Sequence, residues 1–414
     1  MSAAAGPVGR QERISEIDII RGFALFGVLW MNVLGHAFLA IPNEHLNALP
    51  TARIDAAVGM VSRVLMAGKA QALFSMLFGF GFAMLMDRIE ARGGDARRIY
   101  LRRLAILLAI GVAHALLLWL GDILHAYALA GFLLLLTRRL SGRLLLALAF
   151  ALAVVAFPAL FFGYSLAAPG QDPPWAAAET AGQARRWLLL QGSDYGAFVA
   201  ENARALWTEV YRHALGYVGL GFIFGRFLIG AWIYRQGWLQ DSGRFAADFR
   251  RWAAILLPAG LAIAGVWPAL RLAGVSLPLA LQLLVDTVLA AGLIVLALGY
   301  AAALVVLCRN ERRRRRLSGL GAVGQMALTN YVAQSLVFVF LLYGFGLGLL
   351  PWAGATFSLG LSVLVFAVQI AASRWWLARY RFGPLEWVWR SLTYGERQPM
   401  RLRSSGDAAG AMAE

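Results

Sequence analysis

The sequence has 414 residues, of which 60% are hydrophobic and only 14% are charged, and this composition excludes an ordinary soluble protein. Its formal net charge of +16 would suit a nucleic-acid binder, but the arginines cluster in short segments between apolar runs, as in the cytoplasmic loops of membrane proteins. The single cysteine, Cys308, excludes an intramolecular disulfide, and no Cys/His spacing predicts a metal site.

Apolar runs of about 20 residues or more recur along the chain, each long enough to cross a hydrocarbon core of about 30 Å. They predict an all-α polytopic membrane protein whose single integral-membrane domain covers residues 17–396. The stretch 54–68 is too short for a span of its own, and we expect an interfacial or re-entrant helix there that leads into span 2. The ten predicted transmembrane helices, spans 1 to 10, lie near 17–39, 70–90, 99–119, 122–138, 143–165, 211–234, 252–272, 277–308, 318–345 and 353–378.

The distribution of arginine sets the predicted orientation. Six arginines follow span 2 and six follow span 8, whereas the alternate connections are nearly neutral, so the positive-inside rule places both termini in the cytoplasm. Residues 1–16 then form a cytoplasmic segment without a removable signal peptide, and residues 397–414 form a disordered cytoplasmic tail. The segment 166–210 faces outside, either as a lid or acceptor-binding loop or as a plain connection.

Span 1 carries polar residues that a lipid anchor does not need, because polar groups in hydrocarbon are costly. Arg21 and Asn32 are eleven residues apart and lie on nearly one helical face, and Asp18 is placed to pair with Arg21. This pattern predicts an anion-binding cytoplasmic mouth joined to a polar point deep in the membrane. The alternative is a snorkelling pair that fixes topology, with an asparagine that bonds a neighbouring helix.

A second polar group lies in the segment GVAHALLLWLGDILHAYAL, residues 111–129. His114 lies in the outer half of span 3, and Asp122 and His125 open span 4 on one helical face. Because a helical hairpin makes these segments antiparallel, we expect the three side chains at a similar depth, close to Asn32. An imidazole and a carboxylate can serve as a base and its orienting partner in proton transfer, with a structural cluster as the alternative.

Other polar residues inside the spans are candidates for a polar cavity. Asn330 and Gln334 are four residues apart in span 9, so they either line such a cavity or bridge helices. Asp286 sits near mid-membrane in span 8 and needs a partner, and Lys69 is an interfacial anchor or a site residue. The predicted cavity set is Lys69, Asp286, Gln325, Thr329, Asn330 and Gln334.

Five segments carry a family resemblance: RISEIDIIRGFALFGVLWMNV, KAQALFSMLFGFGF, GVAHALLLWLGDILHAYALAG, GQMALTNYVAQSLV and FGPLEWVWRSLTYG. Together they resemble the YeiB-like bacterial membrane proteins, which are grouped as domain of unknown function 418. The resemblance covers nearly the whole chain in the same order. It implies this topology, in the bacterial cytoplasmic (inner) membrane, more than it implies an activity.

Span 1 also resembles, more distantly, the first span of transmembrane acyltransferases of the heparan-α-glucosaminide N-acetyltransferase and acyltransferase-3 groups. Arg21 matches the arginine of that span, and Asn32 stands where the acyltransferase-3 group has histidine and the heparan-type group has asparagine. The resemblance implies transfer of an acyl group from a cytoplasmic acyl-CoA-type donor to an acceptor on the far side. The heparan-type histidine has no clean match here, so we infer His114 as the base.

The resemblance and the residues together predict a site. A cationic mouth would hold the donor phosphates, His114 would deprotonate an acceptor hydroxyl or amine, and Asn32 or Asn330 would hydrogen-bond the thioester oxygen. The predicted donor-binding residues are Arg21, Asp18, Arg102 and Arg103, and the predicted catalytic residues are His114, Asp122, His125 and Asn32.

No tightly bound cofactor is expected, and acyl-CoA would be a co-substrate. The expected partners are the lipid bilayer and a small-molecule or glycan acceptor, without nucleic acid and with homo-oligomerisation left open. A transporter or flippase with an intramembrane substrate path is the main alternative, although neither an inverted repeat nor a broken helix is clear in the sequence. A non-catalytic scaffold would not need so many polar groups at one depth.

Overall fold

The computed structural model describes residues 14–402, apart from five side chains within helices, and the described chain is almost entirely α-helical. Two π-helical turns, Ala151–Val155 and Leu206–Tyr211, follow α7 and α10. The helices are α1 Ser15–Phe38, α2 Asn43–Ala48, α3 Ala52–Leu65, α4 Lys69–Ala91, α5 Ala96–Leu117, α6 Leu124–Thr137, α7 Gly142–Phe150, α8 Ala156–Ala167, α9 Pro174–Gln191, α10 Tyr195–Ala205, α11 Ala214–Arg235, α12 Ala246–Ala264, α13 Val266–Leu272, α14 Leu279–Cys308, α15 Glu311–Gln325, α16 Ala327–Leu342, α17 Ala355–Leu377 and α18 Pro384–Tyr394.

The predicted spans appear in the structure in the predicted order. Within the described residues, eight helical stretches are long and apolar enough to cross a membrane, and the bent pair α15–α16 makes a ninth. The apolar helix α6 is shorter, with 14 residues. With α6 these stretches correspond one by one to the ten predicted spans, which confirms the all-α polytopic membrane fold.

Span 4 is shorter than predicted. It was expected to begin at residue 122, but α6 begins at Leu124, and the preceding residues form an irregular connection from α5. At 1.5 Å per residue, α6 is only about 21 Å long. Asp122 therefore lies before the helix, and the prediction that it shares a helical face with His125 is wrong. The two side chains meet instead because Asp122 folds back onto the first turn of α6.

The stretch 54–68 forms α3, which leads into α4 as predicted. The two helices meet at Gly68, whose φ of 75° is in the left-handed region. They count together as one apolar stretch of 40 residues, Ala52–Ala91. An ideal helix of that length measures about 60 Å, twice the hydrocarbon thickness, so α3 extends the span and does not turn back as a re-entrant helix would.

Span 9 was predicted as one helix, and this is wrong, because the chain bends by 78° between α15 and α16. The bend is stabilised by Glu386 of α18. Its Oε1 accepts hydrogen bonds from the backbone N–H groups of Leu328 and Thr329, at 2.7 and 3.0 Å. A carboxylate thus satisfies donors that α15 would satisfy in a continuous helix, and it lies at the positive end of α16.

The outer segment 166–210 is folded into α9, α10 and a π-helical turn. It bonds to the ends of two spans: Arg186 Nε donates to the carbonyl of Leu39 at 2.8 Å, and Asn202 Nδ2 donates to the carbonyl of Leu116 at 3.1 Å. A plain flexible connection would make no such contacts. The segment therefore covers the ends of α1 and α5.

The first predicted span is also the most enclosed. In α1, 72% of the most apolar window is buried, whereas the value for the peripheral stretch Ala246–Leu272 is 6%. The close approach of α1 to α15 depends on one glycine in each helix. A Cβ at Gly22 would lie 2.0 Å from the carbonyl oxygen of Leu320, and a Cβ at Gly324 would lie 2.0 Å from the carbonyl oxygen of Asp18. Such small residues replace the hydrophobic effect as the basis of helix packing within lipid.

The last described residues pack against the turn after α17. The N–H of Arg381 donates to the carbonyl of Met400 at 2.8 Å, and the N–H of Leu402 donates to that of Arg379 at 3.2 Å. Ordered structure therefore extends at least to Leu402, six residues into the predicted tail. The rest of that tail, 403–414, and residues 1–13 of the predicted N-terminal segment lie outside the described residues.

Candidate functional site

A buried cluster of two histidines and one aspartate forms where α5 and α6 meet. A Cβ at Gly111 would lie 2.2 Å from the backbone nitrogen of His125, so glycine at this position lets the start of α6 approach α5. His114, three residues further along α5, then lies beside Asp122. The Nδ1 atoms of His114 and His125 lie 2.9 and 2.7 Å from the two carboxylate oxygens of Asp122. The predicted proximity of these three residues is thus present.

Asp122 is held by the helix that it precedes. Its Oδ2 accepts a hydrogen bond from the backbone N–H of His125 at 2.8 Å, in addition to the bond from the His125 ring. The positive end of a helix favours a carboxylate. All three side chains are almost completely buried, with exposures of 3% for His114, 6% for Asp122 and 5% for His125.

Helix α16 adds two hydroxyl groups to this cluster. Ser335 Oγ lies 2.8 Å from His114 Nε2, and the Tyr331 hydroxyl lies 3.4 Å from Asp122 Oδ1. The rings of His114 and Tyr331 are 5.0 Å apart, and the Tyr331 hydroxyl also accepts from the backbone N–H of Ile123. Tyr331 and Ser335 are four residues apart, so they present one face of α16 to the cluster.

An arginine-lined cavity of about 260 Å³ approaches the cluster from the arginine-rich side, where α4 ends and α5 begins. Arginines from four helices line it: Arg21, Arg88, Arg103 and Arg390. Tyr127 and Tyr331 also line the cavity, and through the Tyr331 hydroxyl its wall touches Asp122. From Arg103 to His114 is eleven residues along α5, or about 16 Å. The cavity therefore has a cationic end and borders the histidine cluster at Tyr331, although the histidines themselves do not line it.

Helix α18 forms one wall of this cavity. The guanidinium of Arg103 lies 3.6 Å from the ring centroid of Trp389, whose Nε1 donates to the carbonyl of Arg103 at 2.9 Å. Among residues 14–402, Arg103 forms no ion pair with a carboxylate. Glu386 is the acidic residue of the lining, and burial raises the pKa of its carboxyl although hydrogen bonds from Thr329 oppose the shift.

The predicted donor-binding residues divide into two groups. Arg21 lines the cavity, and its Nη1 bonds to Asp18 at 2.8 Å and to the carbonyl of Gly324 at 3.3 Å, so Asp18 orients it as expected. Arg103 lines the cavity too. Arg102, the next residue on the helix, is exposed and points away, towards Gly395.

Asn32 is not part of the observed cluster. It is half-buried, does not line the arginine-lined cavity, and makes no hydrogen bond to another side chain in the part of the chain described. The prediction that it lies beside the histidines is therefore not met. His114 and Asp122 contact side chains of α16, and Asn32 takes no part in these contacts.

The amides of span 9 bridge helices, which was one of the two alternatives. Gln334 Nε2 donates to Gln369 Oε1 at 2.8 Å, and Asn330 Nδ2 donates to Ser373 Oγ at 3.0 Å, so both face α17. They do not line the arginine-lined cavity, and Asn330 is not placed to bond a thioester there. Gln325 does line it, and Thr329 bonds Glu386 at the start of α16.

The two remaining predicted cavity residues have structural partners elsewhere. Lys69 Nζ donates to the carbonyl of Arg63 at 2.6 Å, which satisfies an orphan carbonyl at the end of α3. Asp286 Oδ1 accepts from Trp267 Nε1 at 2.9 Å and joins α14 to α13. Asp286 lies seven residues from the start of the 30-residue helix α14, nearer to that end than to the middle of the helix.

His36 forms a separate group at the end of α1. Its Nδ1 lies 2.6 Å from the Tyr343 hydroxyl, and its ring stacks on Trp119 at 4.6 Å. The side chain is fully buried and its Nε2 has no hydrogen-bond partner among the described residues. His36 is therefore near the cluster, since Trp119 lies in the same connection as Asp122, but it makes no bond to it.

Several residues of the site were missed by the sequence reasoning. Tyr331 and Ser335 lie within a segment singled out for its amides, and their own four-residue spacing was the available signal. Glu386 lies in an amphipathic C-terminal helix whose docking position no pattern reveals. Arg226 was detectable, because a lone arginine interrupts the apolar run GFIFGRFLIG.

Arg226 is the most deeply buried cation of the described chain, with an exposure of 0%. Its guanidinium lies 3.7 Å from the ring centroid of Phe222, and its Nη1 contacts Gln71 Oε1 at 3.4 Å. Its Nε and Nη2 have no partner, and no described carboxylate pairs with it. It does not line the arginine-lined cavity.

A second, larger cavity is wholly apolar. It has a volume of about 480 Å³ and lies between α4, α11, α12 and α14. Three indole rings adjoin it, with centroids 5.2 Å apart for Trp232 and Trp238 and 4.7 Å apart for Trp238 and Trp252. No titratable side chain lines it, so it offers no group for acid–base or nucleophilic chemistry.

Comparison with known proteins gives a family and no activity. A family model described as "Protein of unknown function (DUF418)" matches residues 233–396. "Uncharacterized protein YxaH" of Bacillus subtilis (strain 168) is 32% identical over 416 residues, covering 96% of this chain and 98% of that protein. "Uncharacterized protein YeiB" of Escherichia coli (strain K12) is 30% identical over 415 residues, with the same coverage of 96% and 98%.

These matches extend over nearly the full length of both relatives, so they include the α5–α6 hairpin and α16 as well as the segment matched by the family model. The family resemblance inferred from five sequence segments is thereby confirmed. The chain belongs to the YeiB-like family of proteins described as DUF418.

Proposed function

We propose that this protein is a transmembrane acyltransferase of the bacterial cytoplasmic membrane. It moves an acyl group from a cytoplasmic acyl-CoA-type donor to an envelope or exported acceptor. The observation that carries the proposal is the arginine-lined cavity, which has four arginines in its lining and reaches Tyr331, 3.4 Å from Asp122 Oδ1. A cavity that is cationic at one end and borders a buried imidazole–carboxylate pair at Tyr331 would suit the two ends of a thioester donor.

The charges of the cavity support a phosphate-bearing donor. Its lining contains four arginines and one glutamate, so it carries an excess of positive charge. Arginine binds phosphate through several N–H donors in a fixed plane. Arg103 is held in place by Trp389 and is not paired with an acid among the described residues, which leaves its outer N–H groups for an anion.

The volume of the cavity limits what enters it. About 260 Å³ is below the usual range of about 300–1,000 Å³ for a whole drug-sized ligand. A thin pantetheine-type arm with a small acyl group fits this space better than a nucleotide does. The nucleotide would remain at the arginines, on the side from which a cytoplasmic donor comes.

The chemistry falls to His114 and Asp122. A neutral His114 takes the proton of the attacking hydroxyl or amine, and Asp122 stabilises the imidazolium that forms. The acyl carbon forms its new bond while the thioester C–S bond breaks, and the proton passes from His114 to the departing thiolate. His125 contacts the second oxygen of Asp122 and so fixes the carboxylate in its orientation.

The proposal is tested by donor binding to the purified protein. Acetyl-CoA should raise its melting temperature, and Arg103→Gln should require about 10- to 100-fold more acetyl-CoA for the same shift, because a charge-assisted hydrogen bond contributes about 1.5–3 kcal/mol. Arg102→Gln is the matched control and should behave as the wild type, since Arg102 is exposed outside the cavity. If no acyl-CoA shifts the wild type, the donor assignment fails.

A transporter or flippase remains the second candidate, and the bend between α15 and α16 is the observation that favours it. In transporters, the N-terminus of a broken helix often binds an anionic group of the substrate. Here the N-terminus of α16 already binds the carboxylate of Glu386. Uptake or flipping of a labelled substrate by reconstituted protein, without any effect of acyl-CoA, would favour transport.

A further inference from the structure

We propose that Ser335 is the nucleophile that carries the acyl group between donor and acceptor, so that transfer proceeds through an acyl-serine intermediate. This inference rests on the proposed acyl transfer and deepens it. Ser335 was not among the residues expected from the sequence. Its position is given by α16, which packs against the hairpin of α5 and α6.

Three side chains form the proposed relay. Ser335 Oγ is within hydrogen-bond distance of His114 Nε2, at 2.8 Å. His114 Nδ1 lies 2.9 Å from Asp122 Oδ1, an ion-pair distance at which the ring is not aligned for a hydrogen bond. When Asp122 accepts the Nδ1 proton, the lone pair of Nε2 points at the serine hydroxyl, which is the tautomer that nucleophilic catalysis requires. A Ser–His–Asp arrangement is recognised by these contacts and not by chain order.

The environment of the relay strengthens it. Ser335 has an exposure of 2%, and the His114 and Asp122 side chains are similarly enclosed, so bulk water does not compete for these contacts. In such surroundings the attraction between Asp122 and a developing imidazolium is much stronger than in water. Removal of the Ser335 proton by His114 is therefore favoured at this position.

No other buried serine of the described chain has an imidazole partner. Ser75 Oγ pairs with the Tyr127 hydroxyl at 2.6 Å, and Ser362 Oγ donates to the carbonyl of Ser358 at 2.7 Å. Ser373 accepts from Asn330. These hydroxyls satisfy each other or the backbone, as is ordinary inside helix bundles. The contact with His114 thus sets Ser335 apart.

Ser335 does not line the arginine-lined cavity, but it is close to a residue that does. Tyr331, which lines that cavity, is one helical turn before Ser335 on the same face of α16. The Tyr331 ring lies 5.0 Å from the His114 ring, so the cavity wall and the relay are in contact. The proposal therefore requires the Tyr331 side chain to move aside, so that a thioester carbonyl in the cavity can reach the serine hydroxyl.

The reaction then has two balanced steps. Ser335 Oγ attacks the thioester carbonyl, its proton moves to His114 Nε2, the C–S bond breaks, and the departing thiolate takes that proton. The acceptor hydroxyl or amine next attacks the serine ester and gives its proton to His114. The ester C–O bond breaks, and His114 returns the proton to Ser335 Oγ. No oxidant, reductant or further co-reactant is needed.

A serine ester would allow the donor and the acceptor to reach the site from opposite sides of the membrane at different times. A donor from the arginine-rich side and an acceptor from the opposite side need not occupy the buried site together, because the acyl group waits on the protein. The outer segment, which bonds to the end of α5 at Leu116 and Leu117, covers the side from which the acceptor would come.

The test uses the full chain in detergent, with acetyl-CoA as donor and hydroxylamine as surrogate acceptor. Peptide mass spectrometry after acetyl-CoA alone should find an acetyl group on Ser335. Ser335→Ala should lower release of the CoA thiol by at least about 100-fold. Ser362→Ala is the matched control, a fully buried serine bonded only to a backbone carbonyl, and it should keep wild-type activity.

A second readout does not depend on acyl-CoA. A small fluorophosphonate, which reacts with activated serine, should label Ser335 in the wild type and not in His114→Ala or Ser335→Ala. Labelling without any reaction of acetyl-CoA would keep the nucleophile and overturn the acyl-CoA function. Thiol release that persists in Ser335→Ala would overturn the nucleophile and keep the function. If neither label nor thiol release is found in folded wild-type protein, both are overturned.

Discussion

Two charged clusters lie near each other at the ends of α5 and α10, and they differ in the kind of cation that faces each carboxylate. In the outer cluster, Glu201 and Glu209 face arginines, with distances of 2.5 Å to Arg204 and 2.7 Å to Arg186. In the inner cluster, Asp122 faces two imidazoles at 2.9 and 2.7 Å. The guanidinium groups of the first cluster keep their protons permanently, whereas an imidazole can act as both an acceptor and a donor of a proton.

This difference separates a structural cluster from a chemical one. Arginine–glutamate pairs fix α9 and α10 against the ends of α1 and α5, and no proton moves when they form. The imidazoles of His114 and His125 can bind and release a proton while Asp122 stays charged. We therefore expect changes in the outer cluster to alter stability and changes in the inner cluster to alter reactivity.

The largest expected effect is that of Asp122→Asn. An asparagine cannot stabilise an imidazolium and leaves His114 in the wrong tautomer, so acetyl transfer should fall by about 1,000-fold or more. Release of the CoA thiol from acetyl-CoA, with hydroxylamine as acceptor, measures the rate. A variant that elutes as folded protein and keeps a rate within tenfold of the wild type would show that the inner cluster is structural after all.

Glu209→Gln should have the next largest effect, on stability. It removes the carboxylate of the buried Arg186, whose exposure is 5%, and loss of one member of a buried ion pair costs about 3–5 kcal/mol. Thermal denaturation should show the loss, while thiol release at a temperature where the variant is folded stays unchanged. Glu179→Gln, at an exposed position of α9, is the control and should leave both unchanged.

Gln334→Leu tests whether any buried polar residue at this depth affects the reaction, or only those that contact the histidines. Gln334 lies one residue before Ser335 but bonds Gln369 of α17. We expect a stability loss of about 1–3 kcal/mol, because Gln369 is left without its donor, and no loss of thiol release. The double variant Gln334→Leu with Gln369→Leu should be closer to the wild type in stability. A large loss of thiol release in the single or the double variant would show that residues outside the inner cluster also determine reactivity.

The smallest expected effect is the response of the outer cluster to acid. Burial alone would raise the pKa of Glu201. The hydrogen bonds and charges of Arg204 and Arg185 together lower it by more than burial raises it, so the pKa in the folded protein lies below the ordinary 4.5. The carboxylate therefore contributes stability above about pH 4.5, and this is lost as the pH falls through the lower folded value. Melting curves from pH 7 to pH 3.5 should fall more in the wild type than in Glu201→Gln.

Local pattern predicted the spans well and their breaks poorly. The apolar lengths predicted the helical stretches in order, and among the described residues eight of them, or nine with the bent pair α15–α16, are long enough to cover about 30 Å of hydrocarbon. The bend before α16 was missed because its cause, Glu386, lies about 60 residues away in sequence. The short α6 was missed because its start depends on how Asp122 folds back onto the helix.

The site was likewise predicted only where its residues are close together in the sequence. His114, Asp122 and His125 belong to one hairpin, so their meeting follows from short connection and antiparallel packing. Asn32 was placed with them by depth alone, and depth does not say which way a side chain faces. Asn330 and Gln334 face α17 while Tyr331 and Ser335 face the histidines, a difference of one residue and about 100° on the same helix.

The sequence by itself determined that the chain is a polytopic helical membrane protein with arginines on one side and ionisable groups inside the spans. These features are local, since hydropathy and charge act on each segment separately. Only the tertiary structure decided which ionisable groups meet. In the folded protein Ser335 contacts His114, Arg103 packs on Trp389 beside a cavity, and Glu386 bonds to the bend before α16. Each contact joins two helices, and their relative rotation depends on packing and not on composition.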